Sequence, residues 1–225
     1  MNTAEMIESF RHLGSSFVAD GMQRAGLHRR ITDPVLQPLL PVRRVAGTVV
    51  TELLQFFPTE QPPVAYIHAQ AFAQAELVTS AVLVTESQLG LRSPFGGRAC
   101  RAFVHAGLTG VIIDGSIRDI SDITALDMPM FYRHVSADSY VVPRLPEGYV
   151  GGDAGIQVVV GGVTVSPGDL VIADEDGIVF CRPEDASAVI DAAQDILAEE
   201  EALFQRWKAG EGFLEGQGLP PASDF

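Results

Sequence analysis

Apolar positions along this chain fall into two periods, and the change from one to the other divides it. Through the first half, blocks of helical spacing alternate with short β-branched runs. Residues 3 to about 28 read as one or two helices, with Ser15 or Ser16 as a cap before Phe17-Val18-Ala19. Pro34, Pro38 and Pro41 punctuate a loop, and 45–54 reads as a strand. An alanine-rich helix over 64–77 and a short buried strand over 81–85 follow. After the loop 90–97, the spacing predicts a helix over 98–106 closed by Gly107, a strand over 108–114, a short helix over 119–126 and a strand over 128–132.

From Ile156 the period shortens to two. Strands are expected at 157–160, 163–165, 170–173 and 178–181, joined by Gly161-Gly162, Pro167-Gly168-Asp169 and Asp174-Glu175-Asp176-Gly177. A long helix over 183–208 carries acidic residues on its exposed positions, and the Gly/Pro-rich tail from Ala209 is expected to order only against a partner. No repeat or linker divides the chain, so a single layered α/β domain with a mixed sheet is expected.

The most chemically suggestive stretch is Val111-Ile112-Ile113-Asp114-Gly115-Ser116-Ile117-Arg118-Asp119. Its apolar run is expected to end in a turn at Gly115, leaving Arg118 and Asp119 side by side beyond a strand end, where open α/β sheets bind ligands. A guanidinium can fork onto a carboxylate, and a neighbouring aspartate can hold a divalent cation; a surface ion pair is the alternative. Upstream, Phe95-Gly96-Gly97-Arg98-Ala99 feeds a helix start, either an ordinary junction or an anion cradle made of first-turn amides. One helix and one strand separate the two features, so a right-handed crossover would bring them to one cleft.

Charge and composition narrow the chemistry. The formal net charge of −14 argues against nucleic acid as partner and requires any anion site to be locally positive. The single lysine, Lys208, sits in a polar C-terminal stretch, against Schiff-base or pyridoxal chemistry. His12, His28, His68, His105 and His134 never fall at metal-ligand spacing and are expected at the surface or satisfied in the core. Cys100 and Cys181 form no motif and read as small buried hydrophobes of a reducing cytoplasm. Ser116 lies outside any G-x-S-x-G elbow, and the acidic turn at 174–177 reads as a hairpin rather than a calcium loop. No signal peptide or membrane-length apolar run is visible, so a cytoplasmic protein is expected.

The glycine turn, the helix after it, the strand ending in Arg118-Asp119, and the block from Val165 to Gly177 together resemble the RraA-like proteins, which include class II 4-hydroxy-4-methyl-2-oxoglutarate/4-carboxy-4-hydroxy-2-oxoadipate aldolases. The resemblance runs from about Phe17 to the C-terminal helix and is strongest over 95–133 and 161–183. It implies a swivelling α-β-β-α sandwich assembled as homotrimers or hexamers, with sites at subunit boundaries. It implies a divalent metal, Mg2+ or Mn2+, held by Asp119, a pyruvyl group bound by Arg118, and a carboxylate held by the amides of Gly96, Gly97, Arg98 and Ala99. The implied reaction cleaves a 4-hydroxy-2-oxo acid to release pyruvate, with oxaloacetate decarboxylation through the same enolate. The base would be a water on the metal or a carboxylate from a neighbouring subunit's C-terminal helix, such as one of Glu199, Glu200 and Glu201. The same family holds non-enzymatic regulators of a ribonuclease, which typically lack the aspartate after the arginine; this chain keeps it. It departs where aldolases carry Gly-Glu or Gly-Asp and it carries Gly96-Gly97, and again around 80–90, where the usual glycine/aspartate pattern is blurred. These departures keep open an enzyme acting on a sugar acid or another hydroxy acid.

Overall fold

The computed structural model describes residues 1–40, 43–139 and 145–220; Pro41, expected in the proline loop, and the last residues of the tail lie outside the described part. In chain order the elements are α1 (Thr3–Leu13), α2 (Ser15–Arg24), β1 (Gln37–Pro38), β2 (Val45–Phe57), α3 (Val64–Ala75), β3 (Ala81–Ser87), α4 (Gly97–His105), β4 (Gly110–Ile117), α5 (Ile120–Thr124) and β5 (Met130–Val135). There follow β6 (Tyr149–Ala154), β7 (Val158–Val160), β8 (Val163–Val165), β9 (Leu170–Asp174), β10 (Gly177–Cys181), α6 (Ala186–Lys208) and α7 (Phe213–Gly216).

Strand alternation builds four layers. In β3 and β4, Leu83, Val111 and Ile113 face α3 and α4, joining Ile67, Ala71, Cys100 and Phe103 in one core. Val82, Val84 and Ile112 point the other way, onto Val171, Ala173, Ile178 and Phe180 of β9 and β10 and onto the β7–β8 hairpin. The opposite faces of β9 and β10, with Leu170, Ile172, Val179 and Cys181, are covered by α1, α2 and α6. Helices therefore lie outside two strand layers that face each other: the layered α/β fold with a mixed sheet expected from the pattern, in the sandwich form the resemblance implies. Within it, β2, β3, β4 and β5 run parallel, each joined to the next through a helix. The long β2 pairs antiparallel with β9 through its first half and with β6 through its second.

Several local expectations change. Neither Ser15 nor Ser16 caps α2; that place is held by Gly14, and the helix start is anchored from far along the chain. Asp174 accepts from the Ser15 amide (2.9 Å) and from its hydroxyl, while the Ser16 hydroxyl donates to Asp176 (2.9 Å). The acidic turn thus closes the β9–β10 hairpin and holds α2 in place. Gly115 is not a turn: β4 continues to Ile117, with one extra residue against β5 between Ile113 and Ser116. That is a β-bulge, and it moves the strand end, with Arg118 and Asp119, beyond where the glycine suggested. Strand β6 has no counterpart in the sequence expectation. Past α6, Trp207 stacks on Phe213 of α7 (5.4 Å between ring centroids), and Arg206 pairs with Glu211 (2.6 Å), so the first part of the tail folds back on the long helix. No described helix is long and apolar enough to cross a membrane.

Candidate active site

Arg118 and Asp119 occupy the junction between β4 and α5. The Arg118 amide donates to Phe95 O (2.9 Å), and Phe95 bridges Ile117, so the segment before α4 lies beside the end of β4. This brings the glycine turn and the Arg-Asp pair together. Asp119 takes a left-handed backbone (φ 58°, ψ 44°), which aspartate tolerates better than most residues, and so turns its carboxylate toward the start of α4. There Oδ2 accepts from the Gly97 amide at 3.0 Å. Arg118 Nε stands 3.7 Å from the same oxygen, too far for a hydrogen bond, so the guanidinium keeps its donors for another partner.

At both glycines a side chain would make its neighbours shift. Gly96 has an extended backbone that any residue could adopt, but a Cβ there would lie 2.5 Å from Asp119 Oδ2 and 3.1 Å from Arg118 Nε. At Gly97 a Cβ would lie 2.8 Å from Asp122 Oδ2 and 3.0 Å from Asp122 Cβ. The space a side chain at position 97 would need is therefore taken by the Asp122 carboxylate of α5, which also pairs with Arg101 (3.3 Å).

The helix start splits its amides between two tasks. Gly97 serves Asp119, and Cys100 is the first to close back onto Gly96 O (3.0 Å). The amides of Arg98 and Ala99 carry no partner among the described residues, at the positive end of the helix macrodipole. A pocket of about 140 Å³ lies here, lined by Gly96, Arg98, Ala99, Arg118 and Asp119 together with Ser93, Pro94 and Ser139. Gly97 is the one predicted position that does not line it. Cys100 gives no nucleophile: burial, with Asp119 adding to it, pushes its thiol up to about 12, and burial likewise raises Cys181 to about 12.

One group beneath the site escaped the sequence. Glu52 of β2 is fully buried, and accepts from the Thr85 hydroxyl (2.9 Å) while its other oxygen lies 2.8 Å from His68 Nδ1 of α3. The His68 ring packs against Phe72, Phe95 and Phe103, so this pair supports the residue just before the glycine turn. His68 was expected to be satisfied or at the surface; its Nδ1 is paired, whereas Nε2 is buried with no partner among the described residues. Replacing Glu52 by alanine is expected to cost about 3 kcal/mol, since it strips a buried ring and hydroxyl of their acceptor. Urea unfolding measures this, and a loss below about 1 kcal/mol would show the pair to be incidental.

The donor set suits a hard divalent cation that keeps most of its waters. Magnesium is commonly held by one or two carboxylates, with the substrate supplying further ligands. Among the described residues Asp119 accepts a hydrogen bond through Oδ2 alone, and it lines the pocket. No cluster of three or more acidic, histidine or cysteine side chains placed to hold a metal ion exists among the described residues.

Known proteins share parts of this sequence and this fold. The family model for RraA-like proteins (Aldolase/RraA) matches residues 15–180. An uncharacterized protein of Methanocaldococcus jannaschii is 31% identical over 125 residues, 56% of this chain and 54% of that protein, so the match spans about half of that relative. A protein of Albidiferax ferrireducens named "Putative 4-hydroxy-4-methyl-2-oxoglutarate aldolase" is 30% identical over 153 residues, 67% of this chain and 84% of its own length. Among solved structures, Streptomyces coelicolor RraAS2, described as an unusual member of the RNase ES inhibitor RraA protein family, superposes with a TM-score of 0.73 at 24% identity. That match covers 91% of this chain and 97% of the other.

Proposed function

The chain belongs to the RraA-like (Aldolase/RraA) family, and from that premise we propose that it is a divalent-metal-dependent lyase that cleaves a 4-hydroxy-2-oxo acid and releases pyruvate. The observation that carries this reading is the hydrogen bond from the Gly97 amide to Asp119. It ties the helix start to the Arg-Asp pair, so that Arg98 and Ala99, whose amides have no partner among the described residues, share one small pocket with Arg118 and Asp119. A 2-oxo carboxylate matches that set: an anionic end for the amides of Arg98 and Ala99, and a keto oxygen for Arg118.

In the proposed reaction the C3–C4 bond breaks and its electron pair passes to the pyruvyl fragment as an enolate. The 4-hydroxyl gives up its proton and becomes the carbonyl of the second product, and the enolate takes a proton at C3. A magnesium or manganese ion on Asp119 would supply Lewis-acid polarisation of the keto oxygen. Arg118 places a fixed positive charge where the enolate oxygen develops its own. The α4 amides hold the carboxylate in place, so no reorganisation is needed as charge shifts. Asp122, standing over Gly97, puts a second carboxylate beside the pocket where the chain lacks one on α4. The single lysine, Lys208, is exposed at the end of α6 and outside this pocket, so no imine forms there. Oxaloacetate decarboxylation passes through the same enolate and belongs to the same proposal.

Members of this family commonly form oligomers, and a homotrimer or hexamer in the cytoplasm is the proposed setting, with the proton acceptor supplied by water or a neighbouring subunit. Incubation with 4-hydroxy-4-methyl-2-oxoglutarate, and separately with oxaloacetate, tests the activity. Pyruvate is expected with magnesium or manganese and not after chelation by EDTA. Pyruvate formed at the same rate in EDTA would overturn the metal role. No pyruvate from either substrate, together with binding to a ribonuclease, would replace the lyase with a regulator.

A further inference from the structure

The arginines of this acidic chain are mostly neutralised within it. Arg11, Arg24, Arg30, Arg43, Arg44, Arg92, Arg101, Arg118, Arg133 and Arg206 each pair with a carboxylate. Among the described residues Arg29, Arg98 and Arg182 do not. Arg98 stands in the pocket already described. Arg29 and Arg182 instead converge on a second pocket of about 500 Å³, between the end of α2, the β7–β8 hairpin and the start of α6. The two pockets have no lining residue in common.

Arg30 and His28 join them there. The Arg30 guanidinium is 16% exposed; its Nη2 donates to Thr164 O and, at 2.7 Å, to Asp169 Oδ2. Its Nη1 is buried with no acceptor among the described residues. Buried N–H groups rarely go unpaired, and one beside two unneutralised guanidiniums marks the place of a missing acceptor. Among the described residues Asp185 is the only carboxylate lining the pocket, and Asp169 is already engaged by Arg30, so this lining stays positive in a protein of net charge −14. Met22 and Leu27 add apolar surface that would take a carbon skeleton.

We propose that this second pocket binds a small organic oxyanion carrying two or more negative charges, with Arg29 and Arg182 gripping it from the rim and Arg30 Nη1 donating from within. Forked guanidiniums donate to phosphoryl and carboxylate oxygens alike, so a phosphate ester or a di- or tricarboxylate meets the same chemistry.

Calorimetric titration of the full chain with inorganic phosphate and with citrate, at ionic strength held constant with sodium chloride, tests the site. Saturable binding is expected, at least tenfold weaker in Arg29→Ala/Arg182→Ala and unchanged in Arg43→Ala, an exposed arginine outside both pockets. Tighter phosphate binding would assign a phosphoryl ligand, and tighter citrate binding a polycarboxylate. Neither changed side chain has an ion-pair partner among the described residues, and Arg182→Gln alone carries the same test should the double variant not fold. Absence of saturable binding, full binding in the double variant, or loss in Arg43→Ala would each overturn the proposal. So would a double variant whose mass by light scattering falls below that of the parent, since the arginines would then hold another copy of the chain.

Discussion

Asp119→Ala is expected to lower pyruvate release by roughly 10³-fold with magnesium present, because Lewis-acid polarisation is worth several kcal/mol in the transition state and each 1.36 kcal/mol is tenfold in rate. Alanine also loses the ease with which aspartate adopts the left-handed conformation at this position, at roughly 1–2 kcal/mol. Asp119→Asn separates the two effects. Asparagine tolerates the same backbone and its carbonyl oxygen can accept from the Gly97 amide, but it carries no charge for a cation. Both variants are expected to lose activity, with the asparagine variant keeping the parent melting temperature. Wild-type turnover in either one would remove Asp119 from the chemistry.

Arg118→Ala is expected to reduce kcat by about 10²-fold, the usual consequence of removing one charge-stabilising donor from a developing oxyanion. Arg118 is held by its backbone bond to Phe95 O and only loosely by Asp119 at 3.7 Å, so its loss leaves the local fold in place. Arg118→Lys should recover little, because an ammonium replaces the planar fork with a point charge. Steady-state kinetics distinguish the roles: a raised KM at constant kcat would make Arg118 a binding residue alone.

The layers were legible in the sequence because they follow from alternation. Leu170, Ile172 and Val171, Ala173 sort to opposite faces of β9 as period-two patterning requires. The pairing of the glycine turn with Arg118-Asp119 was also legible, since one crossover unit returns to the same end of a sheet. What escaped depends on contacts distant in sequence. Gly115 resembles a turn in isolation, and only the count against β5 reveals a bulge. In β6, Gly151 and Gly152 erase the apolar signal; Gly152 lies so close to Leu53 O that a Cβ would sit 1.7 Å from it. Glu52 and His68 meet across a strand and a helix, and nothing local to either announces the other. Gly97 looked like a lost carboxylate, whereas the fold puts Asp122 over the same spot. Which arginines stay unpaired is likewise settled only once every carboxylate has found its place.

The central claim is that Asp119, Arg118 and the start of α4 together receive a cation and a pyruvyl group. A crystal structure with magnesium and oxalate, a planar mimic of the pyruvate enolate, tests it most directly. The expected result is a cation on Asp119 Oδ1, with oxalate touching it, its far carboxylate on the amides of Arg98 and Ala99, and Arg118 alongside. A cation bound away from Asp119, or oxalate found only among Arg29, Arg30 and Arg182, would contradict it.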